Sequence, residues 1–565
     1  MTRSNRDTTL FWLTAIVVLA AGMGLRDPWP ADEPRFALIA RQMVESGDWL
    51  FPHRGPELYS DKPPLFMWLQ AATYTLVREW RVAFLMPSLL AALGTLWCVV
   101  DLGKRLWTRQ AGLYAGYALL FALQFTYQAK RAQIDPLVTF WITLSLYGLL
   151  RHVLRGPDWR MWALGFFAAG LGTITKGVGA LALLVLLPAA FAAARGWPRV
   201  ALPWRDARAW LGPLAFVVAV SLWLVPMLIA ALSHPDPTYR AYVDDILFHQ
   251  TAGRYTHAWG HHRPLYYFLV VIATMWLPLA LTLPWAIPAW RRRLGRRDPR
   301  ILLPLAFVVL LVAFFSISSG KRDMYILPAL PMACLALAPL LGGLRRRPGV
   351  QRALVGFVGV LSIAAVAAGL TMLFGTPAFE VRLLEERGLA DASPLAALIV
   401  SVGAWGLATL AWHGRRRAHR AVAWMLGGTW VLVSVIGYPL LNATTSSHEV
   451  LSTVSTAVGP DGELGLVAWK EQTLLMARPH TATFGFKAPW PLQMARARAW
   501  QAEDPARRWL LVREPALDAC VDRRRARDVG TSNRRHWWLV PASAMTPGCV
   551  VAAPAGTPVA DDEAD

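Results

Sequence analysis

Carboxylates and cations recur together through the first 330 residues of this chain. Asp32, Glu33 and Arg35 are followed by Tyr59, Asp61 and Lys62, and then Lys130 and Arg131 lead to Asp135. Next come Lys176, a stretch with His249, Arg254, His257, His261 and His262, and finally Lys321, Arg322 and Tyr325. Acids at the base of a water-accessible cavity can act as general bases, or can hold a metal or an amino-sugar. Clustered Lys and Arg bind phosphate through charge-assisted hydrogen bonds, Arg bidentately. Such a set suits a lipid whose phosphate lies at headgroup depth while its tail stays in the bilayer. Each residue also has a structural reading. Asp32 before Glu33-Pro34 can cap a helix, which would occupy its carboxylate. Asp135-Pro136 can open a helix in the same way. Tyr59 and Tyr325 fit an aromatic belt, the cations can snorkel to headgroups, and the histidines match no single zinc signature.

The elements that must position these residues are membrane helices. Of 565 residues, 55% are hydrophobic and only 16% are charged, against about a quarter charged in soluble domains. The net charge of +21, from 57 Lys+Arg against 36 Asp+Glu, would point to nucleic acid in a soluble protein. Here the cations sit in short loops between apolar runs, so they report topology, and no nucleic-acid partner is expected. A bilayer core needs about 20 apolar residues per helix, and about thirteen stretches qualify. They are 9–25, 82–103, 111–128, 134–154, 161–175, 177–194, 209–232, 264–288, 301–318, 324–343, 351–374, 393–412 and 421–441. The first is too long for a signal-peptide core and has no small-residue cleavage site after it, so it reads as a retained helix.

Every second loop is basic. Arg3 and Arg6 are followed by Lys104/Arg105/Arg109, Arg151/Arg155/Arg160 and Arg195/Arg199/Arg205/Arg208. The series continues with Arg291–Arg293 and Arg296/Arg297/Arg300, Arg345–Arg347 with Arg352, and Arg415–Arg417 with Arg420. These loops and the N-terminus are expected in the cytoplasm, the C-terminus outside. The alternation holds only if 161–194 counts as two spans. All the chemistry-bearing residues then share the external side, where the cations Lys130/Arg131, Lys176 and Lys321/Arg322 break the charge trend. Their recurrence there favours an anion site.

Two soluble parts are expected. In 26–81, Phe36, Ile39, Ala40 and Met43 recur at helical spacing with Arg35, Arg41, Gln42 and Glu45 off that face, as in an amphipathic interfacial helix. Pro63-Pro64 opens a second helix over 64–77. Residues 443–550 read as a small external α/β domain with strands at 465–470, 508–513 and 536–540 and a helix at 489–502. Residues 551–565 read as a disordered tail. Cys520 and Cys549 both fall in that domain, and a disulfide between them is predicted for an oxidising periplasm. Residues 1–442 then form the membrane-embedded catalytic part.

The motifs resemble a known family. Asp32-Glu33-Pro34-Arg35-Phe36-Ala37, Ser46-Gly47-Asp48-Trp49 and Tyr59-Ser60-Asp61-Lys62-Pro63-Pro64 resemble the start of the aminoarabinose transferases and their protein O-mannosyltransferase-like relatives. These are GT-C membrane glycosyltransferases. The resemblance continues through Ile134-Asp135-Pro136, Thr175-Lys176-Gly177, His261-His262-Arg263-Pro264 with Tyr266-Tyr267-Phe268, and Ser319-Gly320-Lys321 with Tyr325-Ile326-Leu327-Pro328. It implies inverting transfer of a sugar, aminoarabinose-like or a hexose, from a polyprenyl-phosphate donor to an acceptor at the periplasmic face of the bacterial inner membrane, foremost lipid A. By resemblance Asp32 and Asp135 are the catalytic acids. Glu33, Arg35, Tyr59, Lys62, Lys176, Arg254, Lys321 and Tyr325 are substrate-binding residues, and Asp61 with His262 would match a metal pair holding a divalent ion. The sequence departs from the family at Pro34, where threonine is usual, and at Asp61, where the longer glutamate is usual. A missing methylene draws a carboxylate back by about 1.5 Å and weakens a shared metal site.

Other classes remain open from the residues alone. The acceptor can be protein or polysaccharide instead of lipid A. A transporter or flippase would place charges near the bilayer midplane and show repeated halves, whereas here the charges sit at outer span ends and no repeat is evident. A lipid-binding scaffold without catalysis is a third reading.

Overall fold

The structure, a computed structural model, describes residues 3–248, 262–318, 320–375, 377–387 and 391–549. Arg254, His249, His257 and His261 lie outside these residues, as do Ser319 and the tail 551–565. Among the described residues eight helical segments are long and apolar enough to cross a membrane. A ninth results if Tyr267–Met275 and Leu279–Gly295, bent by 95°, count as one span. The expected thirteen is therefore not reached by length and composition. The stretch 111–128 is broken into helices Arg109–Leu120 and Leu123–Ala129; twelve residues rise only about 18 Å. The stretches 161–175 and 177–194 are split at Gly177, whose φ of 83° ends the helix Trp159–Lys176. The chain remains a multi-pass membrane protein.

Helices Ile134–Arg155 and Trp159–Lys176 form an antiparallel hairpin. A Cβ on Gly148 would lie 2.4 Å from the Met161 carbonyl oxygen, so the two backbones touch, as small residues allow between membrane helices. This pairing matters for the site. Asp135 opens the first helix and Lys176 closes the second, so an antiparallel pair brings both to the same end.

The helix Glu33–Ser46 has two neighbours. Phe36, Ile39, Ala40 and Met43 pack into the main core of the membrane helices, as their spacing predicts. Leu38 packs instead into a cluster of the C-terminal domain. The helix is thus held between bundle and domain, not laid open on a lipid surface. The helix Leu65–Val77 follows as expected, with its first turn after Pro63-Pro64.

The C-terminal domain is a five-stranded mixed sheet. With β1 (His53–Arg54) and β2 (Glu57–Leu58) forming a small hairpin in the first loop, its strands are β3 (Glu463–Val467), β4 (Ala482–Thr483), β5 (Arg508–Arg513), β6 (Arg527–Ser532) and β7 (Arg535–Val540). Their order is β4-β3-β5-β7-β6, with β3 parallel to β4 and β5, and β7 antiparallel to β5 and β6. Side chains alternate across a strand, and Leu511 and Leu539 face the helix His448–Val458 while Leu510, Val512 and Val540 face the helix Trp490–Glu503. Cys520 and Cys549 are joined by a disulfide, their Cα atoms 5.6 Å apart.

Candidate functional site

Asp32 stands at the N-terminus of the helix Glu33–Ser46 but makes no side-chain cap. Its carboxylate is left for other partners. Gln133 Nε2 donates to Asp32 Oδ2 at 3.1 Å, and Arg322 Nη2 lies 3.6 Å from the same oxygen. The Asp32 side chain is 14% exposed, so it is reachable without being surrounded by water.

Glu33 differs in every respect. It is fully buried, and Arg26 grips it with both terminal nitrogens, at 2.5 and 2.7 Å. The amides of Trp29 and Ala132 donate to its two oxygens at 2.8 and 2.9 Å. Burial pushes the Glu33 carboxyl up, but the Arg26 guanidinium outweighs it and holds the group below the ordinary glutamate range. Arg26 also donates to the Lys130 carbonyl at 3.1 Å. Glu33 and Arg26 therefore tie the first loop to 130–132, directly before Gln133 and Asp135.

The second acid is paired. Lys176 Nζ lies 2.5 Å from Asp135 Oδ1, with 15% and 11% of their side chains exposed. The same ammonium sits 5.1 Å from the centre of the Tyr325 ring, within cation–π range. Arg322 and Tyr325 share one short turn, so the Asp32 contacts and the Asp135 contacts meet through Gln133–Asp135 on one side and Arg322–Tyr325 on the other. Groups that act on one substrate must come within reach of the same reacting atoms, and here the contacts of Asp32 and of the Asp135–Lys176 pair fall on the same two chain segments.

Arg35 faces the C-terminal domain. Its Nε donates to Glu471 Oε1 at 2.9 Å, and Arg54 Nη1 lies 3.5 Å from the same oxygen. Burial pushes the Glu471 carboxyl up, and Arg35 with Arg54 brings it below the usual range. Asp32 is also in the electrostatic surroundings of Arg35. Tyr59 is buried beside Arg54, whose guanidinium carbon is 5.6 Å from its ring centre. Burial raises the Tyr59 phenol, Asp61 and Asp32 raise it further, and Arg35 and Arg54 oppose them. Tyr59 is thus a neutral donor among Asp32, Arg35 and Asp61. Lys62 Nζ donates to the Asp61 carbonyl at 2.9 Å.

Two cations serve the backbone. Lys321 Nζ donates to the carbonyls of Arg263 and Ser318 at 3.0 and 2.6 Å, beside a bridge between His262 and Gly320. Lys130 Nζ donates to the carbonyls of Val18 and Ala21, both at 2.8 Å, at the end of the helix Arg3–Ala20. His262 is exposed. Among the described residues no group of three or more His, Cys, Asp and Glu could hold a metal ion. The Asp61–His262 pair implied by resemblance therefore lacks a supporting donor set there, and no step is routed through a metal.

Gln133, Arg54 and Glu471 escaped the sequence. Gln133 is a polar residue in a turn without a motif, and Glu471 lies 436 positions from Arg35. Arg322 stood in the cation series without a distinguishing signal beside Lys321.

Comparison with known proteins identifies the family. Residues 61–225 match the dolichyl-phosphate-mannose-protein mannosyltransferase family. The undecaprenyl phosphate-alpha-4-amino-4-deoxy-L-arabinose arabinosyl transferase of Pseudomonas aeruginosa is 31% identical over 439 residues, covering 75% of this chain and 73% of that one. The enzyme of that name from Pectobacterium carotovorum is 30% identical over 387 residues, 65% and 66% of the two chains. Crystal structures of ArnT from Cupriavidus metallidurans, bound to undecaprenyl phosphate and in the apo state, superpose with TM-scores of 0.73 and 0.75 at 20% and 21% identity. Both cover 96% of this chain and 99% of theirs, so the whole architecture, membrane bundle and C-terminal domain together, is the GT-C fold of that enzyme. By extent of identity over a common length, the chain belongs to the undecaprenyl phosphate-alpha-4-amino-4-deoxy-L-arabinose arabinosyl transferase family.

Proposed function

We propose that this protein transfers 4-amino-4-deoxy-L-arabinose from undecaprenyl phosphate to a phosphate of lipid A, with inversion at the sugar. The observation that supports the reading is that Asp32 contacts Gln133 and Arg322, while the Lys176 ammonium contacts Asp135 and Tyr325 on the same two segments. The acceptor oxygen attacks the anomeric carbon from the face opposite the donor phosphate. The bond from that carbon to the phosphate oxygen breaks, and undecaprenyl phosphate leaves with the electron pair. Lys176 and Arg322, with Arg35 and Lys62 nearby, stabilise charge growing on the leaving phosphate, an effect of a few kcal/mol in a site that excludes water. Asp135 holds Lys176 in place until the phosphate takes over as its partner. A lipid A phosphate is already ionised near neutral pH, so Asp32 orients acceptor or amino-sugar; a hydroxyl acceptor would require it to take a proton. Glu33 positions this machinery and does not touch substrate. Lys321 and Tyr59 shape the wall, and Arg254 is assigned to the cation set by the family resemblance alone.

In this reading the site faces the periplasm, the N-terminus the cytoplasm and the disulfide-bonded domain the periplasm, in the inner membrane. The test is to incubate the purified chain with undecaprenyl phosphate-linked aminoarabinose and lipid A. A product heavier by one aminoarabinose residue, with release of undecaprenyl phosphate, is expected. Transfer to a hydroxyl-bearing protein or polysaccharide with none to lipid A would replace the acceptor. No transfer and bidirectional lipid movement in liposomes would favour a flippase.

A further inference from the structure

At the membrane end opposite the site, two segments far apart in sequence close around a cavity of about 570 Å3. Arg345, Arg346 and Arg352 line it from one side, and Arg415, Arg416, Arg417 and Arg420 from the other. The span Asp323–Leu344 carries the chain from Tyr325 at the site to Arg345, a rise of about 33 Å for 22 residues. Other basic turns in this chain bring their own acids: Arg105 pairs with Asp101, Arg151 with Asp158, Arg208 with Asp206, and Arg293 and Arg300 with Asp298. Residues 345–352 and 415–420 contain no acid. Among the described residues no Asp or Glu forms an ion pair with any of the seven arginines. Topology needs cations on that side, but it does not need them gathered around one cavity.

The gathering is built. Gln351 is buried and fastens the two segments. Its Oε1 accepts from the Ala418 amide at 2.7 Å, and its Nε2 donates to the Arg345 carbonyl and contacts His419 Nδ1 at 3.2 Å. Arg345 Nη1 lies 3.4 Å from His419 Nε2, and its Nε is buried without a partner. The Arg345 guanidinium also rests over the Tyr114 ring, 5.3 Å from its centre. Trp412 and Trp424 beside the 415–420 segment are exposed, as aromatics at headgroup depth are.

We propose that this cavity is a binding site for a phosphate-rich anion, the headgroup, with two phosphodiesters, of an anionic phospholipid of the cytoplasmic leaflet. Seven guanidiniums exceed what one phosphate group can engage, and paired phosphates at interface depth match their number and place. A free pyrophosphate offers the same chemistry, and the test separates the two. The full-length protein, purified in detergent, is titrated with cardiolipin, phosphatidylethanolamine and inorganic pyrophosphate and read by native mass spectrometry. The variant Arg345→Lys/Arg416→Lys/Arg420→Lys keeps the topogenic charge but loses the guanidinium forks. Cardiolipin retained in preference to phosphatidylethanolamine, with affinity lower by about tenfold or more in the lysine variant, is expected for a site of bidentate contacts. Pyrophosphate binding without cardiolipin binding, lost in the same variant, keeps the anion site and names a soluble source. Binding of neither anion, or equal retention by both proteins, overturns the proposal. Because transfer at the other membrane end is assayed separately, this outcome does not depend on the aminoarabinose reading.

Discussion

Replacing Glu33 by Gln removes a charge from a buried, fourfold hydrogen-bonded carboxylate and leaves Arg26 uncompensated. Breaking such a pair costs about 3–5 kcal/mol, so Glu33→Gln is expected to lower the unfolding midpoint in detergent sharply. A Glu33→Gln protein with unchanged thermal stability but no activity would instead make Glu33 a substrate ligand, as the sequence suggested. Asp135 and Lys176 act as one unit 2.5 Å apart. Asp135→Asn and Lys176→Met are each expected to lower kcat by about 10²-fold or more, with the double variant little worse than either single one. Independent, multiplicative losses in steady-state assays would mean that the two residues serve separate steps. The flanking motif singles out Asp32 in the sequence, and the cap that would compete for its carboxylate is not formed. The sequence gives the type of the Glu33 carboxylate but not its burial against Arg26.

At the scale of elements, the helix Glu33–Ser46 couples the site to the C-terminal domain through Leu38, through Arg35 to Glu471, and through Arg41 to the Leu475 carbonyl at 2.7 Å. The Glu471 carboxyl is held below its ordinary value by Arg35 and Arg54 despite burial. A depressed carboxyl contributes stability that is present above its unfolded pKa, about 4.3, and lost as pH falls through the lower folded value. The docking of residues 463–540 is therefore expected to loosen only below about pH 4.3, read by hydrogen exchange. Glu471→Gln should show the loosened pattern already at neutral pH; an unchanged pattern would remove Glu471 from the coupling. The disulfide closes a loop of 29 positions, for which chain entropy gives about 3–4 kcal/mol. Cys520→Ser should lower the domain's melting by that order, and an unaltered melt would mean that the bond is absent in the folded protein. The amphipathic periodicity of Phe36, Ile39, Ala40 and Met43 was readable, as were β3, β5 and β7 with the helix between them. β6 was not, because Arg-Asp-Val-Gly-Thr-Ser is polar on an edge strand where one face meets water. The dual packing of Glu33–Ser46 was hidden because Leu38 looks like any apolar residue of a membrane-facing helix.

For the whole molecule, hydropathy identified a multi-pass chain, and eight or nine of the expected spans are long and apolar enough to cross among the described residues. The stretch 111–128 breaks at Phe121–Ala122 into two shorter helices, which a window of apolar residues does not register, whereas the break at Gly177 falls where the alternation of basic loops requires one. The span Asp323–Leu344 joins the proposed transfer site at one membrane end to an arginine-lined cavity at the other. The central claim is that Asp32 and its partners transfer aminoarabinose to lipid A. The most direct measurement is mass spectrometry of lipid A from cells with this protein, without it, and with Asp32→Asn expressed to the same level. The expected result is an aminoarabinose-sized addition in the first strain that disappears in the other two. Full modification of lipid A by the Asp32→Asn protein would contradict the site, and unmodified lipid A in all three strains would contradict the acceptor.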